Sequence, residues 1–261
     1  MKRLLVLLTA LAWLWAAPAF AAIGTPAVLY ASPGDGTNTT SYAMTTVTND
    51  CPVGSFLFVG VAIAQGNTSH MTAVSDNSSG GPNSYTLVNA NTAGGSGIGA
   101  SGAWTIVTHD VAIGTVITAT LQFTDQRRGA IIVCDSGISA TPADINGAGA
   151  TGTLPTNVVT FGPTASLAQA SELAIGFSTA DANVGYTVDA VNGWTTISTF
   201  LVYTSQGAIY MAYKITAATT GLTHAPIISG TPDWTDNIYT FKGASSATKT
   251  CTLVLLGVGP C

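Results

Sequence analysis

Charge is what this sequence lacks most. Of 261 residues, only 7% are Asp, Glu, Lys or Arg. Past the N-terminus the one basic pair is Arg127-Arg128, so a phosphate-neutralising face for nucleic acid is excluded. Glutamate occurs once, at Glu172, and histidine only at His70, His109 and His224, with no HExxH spacing. Cysteine is confined to Cys51, Cys134, Cys251 and Cys261, and no CxxC supports zinc or thioredoxin-like chemistry. There is no G-x-S-x-G elbow. No apolar run beyond the N-terminus reaches the roughly 18 residues of a membrane helix. Helical periodicity is absent too, apart from one short turn expected at 165–172.

Residues 1–21 read as a secretory signal: Lys2 and Arg3, an apolar stretch 4–17, then Ala19-Phe20-Ala21 as an A-x-A cleavage site. The competing reading is an uncleaved anchor, for which the apolar stretch is short. No cysteine follows the site, which leaves no lipoprotein acceptor. Cleavage takes the basic count from 7 to 5 against 12 acidic residues, a net charge of about −7. The expected address is secreted: extracellular, cell surface or periplasm. Export permits disulfides. Four cysteines allow three pairings; the favoured pairs are Cys51–Cys134 and Cys251–Cys261, the alternative for Cys134 being a buried free thiol.

What is abundant is glycine, threonine, serine and short β-branched or aromatic runs. The run 55–64, SFLFVGVAIA, is the clearest: too short and too β-branched for a helix, and apolar on both alternating faces. Further strands are expected at 25–30, 42–48, 71–75, 84–89, 103–111, 115–123 and 129–135. Segment 92–102 reads as a Gly-rich loop, and 103–111 and 115–123 as half-exposed strands. The later chain echoes this order. Strand 157–161 comes first. Segment 173–178 matches 57–62 with Gly176 against Gly60, and Tyr186-Thr187-Val188-Asp189 matches Val74-Ser75-Asp76. Likewise 208–216 matches 103–111, and 237–243 matches 130–137. Residues 141–144 and 147–152 read as loop. Many short strands predict an all-β antiparallel β-sandwich or jelly roll over 22–243, with internally duplicated halves (pseudo-repeats about 24–143 and 144–243) interleaved in one sandwich. The alternative is two tandem immunoglobulin-like units.

This order resembles secreted bacterial and phage-encoded jelly-roll (concanavalin-like) proteins of unestablished function. The resemblance covers roughly 55–243. It rests on the buried strand 57–62, on Val74-Ser75-Asp76 with Gly80, Asn83, Tyr85 and Thr86, on 104–107, and on 131–137. It implies an extracellular or particle-surface role and no particular reaction. Gly81-Pro82 and the cysteine-flanked tail depart from the pattern.

Candidates for chemistry are few. The acid pairs Asp233/Asp236 and Asp181/Asp189 read as solvated or turn-capping groups unless the fold brings them together. Asp76 with Asn77, or Asp181 with Asn183, offers too few oxygens for calcium. Gly97-x-Gly99-x-x-Gly102 has no βαβ context and carries no nucleotide-binding meaning. Trp104, Trp194, Trp234, Tyr85, Tyr186 and Tyr203 are core or sugar-stacking rings. Trp234, in the polar stretch 231–237, is expected to be the most exposed, so the tentative ligand site is Trp234, Asp233, Asp236, Tyr186 and Trp194. No metal, cofactor or catalytic residue is assigned.

The tail 244–261 is a polar linker followed by an uncharged β segment, 252–258. Such a segment needs cover, from its own sheet or from a neighbour. The leading expectation is a non-enzymatic structural or adhesive surface or particle protein. Its partners would be a glycan or a cell or particle surface, with self-association through the C-terminal strand. The alternative is a carbohydrate-binding module, and third comes a polysaccharide hydrolase or lyase.

Overall fold

A computed structural model describes residues 22–34, 36–64, 70–93, 98–125, 128–145, 148–152, 157–202 and 207–245. The signal-like segment, Arg127, Tyr203, Cys251 and Cys261 lie outside them, and so does the expected Cys251–Cys261 pair. The described residues contain no helix.

The first half of the chain forms β1 (Ala27–Pro33), β2 (Thr39–Thr45), β3 (Phe56–Ala64), β4 (Met71–Asp76), β5 (Thr86–Ala93), β6 (Ile98–Ile106), β7 (Val116–Asp125) and β8 (Arg128–Asp135). The second half forms β9 (Ile138–Ala143), β10 (Ala148–Gly152), β11 (Glu172–Ala180), β12 (Tyr186–Thr187), β13 (Thr195–Leu201), β14 (Ala208–Ile215), β15 (Ile227–Ile228) and β16 (Trp234–Gly243). The first large sheet has the order β1-β8-β3-β6-β5. The second has β10-β16-β11-β14-β13, with β9 also on β16. Counted along each half, the orders read 1-8-3-6-5 and 2-8-3-6-5, with strand 1 of the second half, β9, also on strand 8. They correspond except that β10 joins the large sheet where its counterpart β2 lies in the outer one. Each large sheet is backed by a smaller one: β2-β7-β4 in the first half, β12-β15 in the second. Segment 157–161, expected as a strand, contributes only the isolated bridges Val158–Ile227 and Phe161–His224 beside β15.

The result is a four-layer antiparallel sandwich. Between the two large sheets lie Phe56, Phe58, Ile131 and Val133 from one side and Ile175, Phe177, Met211, Tyr239 and Phe241 from the other. Leu57, Val59, Val61 and Ile63 point the opposite way, onto Tyr42, Met44, Ile117 and Leu121 of the outer three-stranded sheet. This explains why β3 reads as an unbroken apolar run: it is buried on both faces. The same holds for β8, β11 and most of β16, whose residues are almost all buried.

Several expectations are corrected. The halves do not interleave: among the described residues, no strand of β1–β8 pairs with a strand of β9–β16. The supposed loop 92–102 ends inside β6, which is buried on both faces rather than half exposed. Its small residues let neighbours cross close by, for a Cβ on Gly102 would sit 2.7 Å from Val88 and 2.9 Å from Phe58. Segments 141–144 and 147–152 fall largely in β9 and β10, not in loop, and 165–172 forms no helical turn. The echo between 57–62 and 173–178 pairs the right strands in the wrong register. Leu57 faces the outer sheet whereas Leu173 faces the inter-sheet core. A one-residue slip exchanges the two faces of a strand, and a run that is apolar on both faces does not reveal it.

Cys51 and Cys134 form a disulfide, with Cα atoms 5.7 Å apart, tying the turn before β3 to β8. Arg128 is not part of a basic patch. It is buried, with its guanidinium 4.8 Å over the Tyr42 ring and donating to Thr39 O at 2.6 Å and to Thr37 Oγ1 at 3.0 Å. No helix among the described residues is long and apolar enough to cross a membrane.

Candidate functional site

A group of buried polar and stacked aromatic side chains lies on the outer face of the second large sheet. One row of that sheet runs Tyr210, Ser178, Asp236: Ser178 is the register partner of Tyr210 on β14 and of Asp236 on β16. One row along β11, Gly176 lacks a side chain, and the His224 ring lies there. A Cβ on Gly176 would come within 2.6–2.7 Å of three ring atoms of His224. The loop carrying His224 is held by its backbone pairing with Phe161, by Trp194 Nε1 donating to Thr223 O at 2.8 Å, and by Ala225 N–H donating to Asp189 Oδ2 at 2.8 Å.

So placed, His224 Nδ1 lies 2.9 and 3.0 Å from the two carboxylate oxygens of Asp236, and both residues are fully buried. A carboxylate accepts, so Nδ1 is the donor. Ser178 Oγ donates to the same carboxylate. Nε2 is buried without a partner, as is the hydroxyl of Tyr186. Around this core the rings stack. Trp194 lies 4.5 Å from His224, Tyr210 is 5.8 Å away at 9°, and Tyr186 lies 5.0 Å beyond Tyr210 at 10°. Burial first, and then the charge of Asp236, pushes the Tyr186 hydroxyl well above its ordinary value, so it stays protonated.

This arrangement has the residue types of an acyl-transfer triad without its order. Ser178 and His224 both hydrogen-bond the carboxylate, whereas a nucleophile would hand its proton to the far imidazole nitrogen. None of the three reaches solvent, since Ser178, His224 and Asp236 all have zero exposure. As it stands, the cluster positions the covering loops on the sheet; it does not present a reacting atom.

The sequence-selected residues divide accordingly. Tyr186, Trp194 and Asp236 do come together, around His224, a residue that composition gave no reason to choose. Trp234 is not an exposed platform. It is the first residue of β16 and only 7% exposed, packed with Val159, Ala180, Val184 and Ile228. Asp233 is half-buried and its carbonyl accepts from the backbone N–H of Asp181 at 2.9 Å. The polar letters of 231–237 read as loop because a strand whose outer face lies under another layer looks the same in sequence as one facing water.

Two other polar knots explain the motif behind the family resemblance. Asp76 accepts from Ser78 N, from Asn83 N and Nδ2, and from the Tyr85 hydroxyl at 2.8 Å. Asn83 in turn accepts from Thr108 N and His109 N. Burial pushes the Asp76 carboxyl up, but the hydrogen bonds from Ser78, Tyr85 and Asn83 outweigh it and hold it below its ordinary value. Asp189 does the same for Asn192 and Ala225 in the second half. Both aspartates are loop clamps, and their oxygens are already engaged. Glu172 is fully buried at the start of β11, accepting from Gln169 N at 3.1 Å, and burial followed by the nearby Asp144 raises its pKa. Of the GxGxxG glycines, Gly99 and Gly102 lie inside β6, with no phosphate cradle. No family model, no curated protein and no solved structure matches this chain.

Proposed function

We propose that this chain is an exported β-sandwich with no reaction of its own, serving as a structural or adhesive component of a surface or particle. The observation that carries the reading is the placement of its reactive groups. Ser178, His224, Asp236 and Glu172 are all fully buried, and the first three are engaged with one another. What the outer three-stranded sheet offers to solvent is neutral: Ser41, Ala43, Thr45, Thr72, Ala73, Ser75 and Thr120 are exposed. The disulfide suits an oxidising compartment, and the signal-like N-terminus and the resemblance to secreted jelly-roll proteins point the same way.

The test is to fractionate a producing culture into medium, cell surface and particles, and to size the protein on a gradient. Co-sedimentation with cells, filaments or particles is the expected result. A free monomer confined to the medium would end the structural reading.

A further inference from the structure

Open sheet edges invite strand addition, and proteins blunt them with bulges, prolines or charge. The edge strands longer than two residues follow that rule with one exception. β1 breaks register between Val28 and Tyr30, β2 between Thr39 and Ser41, and β4 between Met71 and Ala73. β5 breaks between Val88 and Asn91, and β13 between Thr196 and Ser198. β9, on the same flank of β16, pairs with a break between Phe241 and Gly243, and β12 and β15 pair without a break but over only two residues. Of the longer edge strands β10 alone pairs without a break, across its five residues, Ala148 to Gly152 against Ile238 to Trp234. Its sequence, AGATG, has neither proline nor charge. Among the described residues, nothing pairs with its outer side.

The geometry points to β10 as the docking edge for the C-terminal segment 252–258 of a second copy of this chain, added as an antiparallel strand. That segment, TLVLLGV, is uncharged and free of proline, which suits main-chain pairing along an unprotected edge. Where the described chain ends decides between a copy's own tail and a neighbour's. β16 finishes at Gly243, with Ala244 N–H bonded to Gly137 O, at the end of β16 away from β10. The flank of β16 at that end is taken by β9, through Phe241–Ala143 and Gly243–Ile138. To add antiparallel to its own β10, the tail would first travel down to the level of Trp234 and two strands sideways. That is about 31 Å in a straight line, which is the whole reach of the roughly nine residues from Gly243 to Thr252 when fully extended. Nothing would be left for the detour round β9. A copy's own tail therefore reaches its β10 only in the parallel sense, the weaker pairing. Every described pairing in this protein is antiparallel, and a second copy's tail meets no such limit. The inference rests on the structural reading above only for the biological use of the assembly.

The experiment uses the purified full chain and a full-length variant carrying Val254→Lys and Leu256→Lys. Amide hydrogen exchange is read across 148–152 and sedimentation velocity gives the mass. The wild type is expected as a dimer or larger, with β10 amides exchanging on the order of tenfold or more slowly than in the variant. The variant should be monomeric, and unchanged exchange in β3 and β11 would show its fold intact. Equal exchange at 148–152 in the two proteins would overturn the edge assignment. A monomeric wild type with β10 protected, and with that protection lost in the variant, would overturn the second copy in favour of the chain's own tail. Neither result depends on where the protein resides, so failure here is distinct from failure of the surface reading.

Discussion

At the scale of single residues, burial decides roles that composition left open. Trp234 stood out in sequence as a ring among Pro, Asp, Thr and Asn, yet it fills the core between β16 and the small outer sheet. Trp234→Ala is therefore expected to cost about 3–5 kcal/mol of stability in denaturant unfolding; a change within about 0.5 kcal/mol would mean a surface ring. Asp135 offers a second test. Its side chain is only 3% exposed, and burial pushes the carboxyl up to about 6 against the backbone N–H groups of Ser136 and Gly24 that hold it down. A folded-state pKa above the unfolded value means that the folded protein holds the proton more tightly. The associated stabilisation is complete below about pH 4 and is lost as pH rises through about 6. Asp135→Asn should flatten that part of the stability profile, by about 2 kcal/mol across the window. An unchanged profile would show that another group sets the slope. His224 was illegible for a different reason: a lone histidine between Thr223 and Ala225 shows nothing of Gly176, whose missing side chain makes room for the ring.

At the scale of elements, the first half is closed at one end by two turns that repeat each other. Residues 50–55, DCPVGS, and 110–115, DVAIGT, have glycines Gly54 and Gly114 at positive φ, 86° and 94°. Cys51 and Val111 exchange both backbone hydrogen bonds. Asp50 accepts from Ile113 N at 2.7 Å, and Asp110 reciprocally accepts from Val53 N at 2.8 Å. The disulfide fastens this pair of turns to β8 across a sequence separation of 83 residues. By restricting the unfolded chain, a loop of that length is worth about 2–5 kcal/mol. Cys51→Ala with Cys134→Ala should lower the denaturation midpoint accordingly, without loss of the β-sheet signal in circular dichroism. No shift in midpoint would mean that the turns hold themselves. The existence of most strands was legible, because β-branched runs bounded by Asx and Gly announce themselves, although 141–144 in β9 read as loop and 157–161 as a strand where only isolated bridges form. Strand β10 was not, since AGATG carries no side chain that prefers a sheet, and its pairing comes from β16.

At the scale of the molecule, the sequence echo was real in order and silent about arrangement. The same local signals are compatible with strands that interleave, stand in tandem or pack face to face. The choice lies in which face of each strand meets the other half, and that is hidden when both faces are apolar. In the structure the two large sheets meet through one aromatic core. Phe58 lies 5.1 Å from Tyr239, Phe56 lies 4.4 Å from Phe241, and a Cβ on Gly60 would sit 2.6 Å from Met211. Neither half covers that face alone. Separating them would expose an apolar surface far larger than the patches that monomers tolerate, at about 25 cal/mol for each Å² returned to water. The halves are thus expected to unfold together. Calorimetry should show a single transition whose van't Hoff and calorimetric enthalpies agree. The fragment 22–137 made alone should bind hydrophobic dyes and aggregate, since nothing replaces β11, β14 and β16 over Phe56, Phe58 and Val133. Two resolved transitions, or a soluble monomeric fragment with native-like amide protection in β3, would show that each half is sufficient by itself and that the shared core is a docking contact between finished domains.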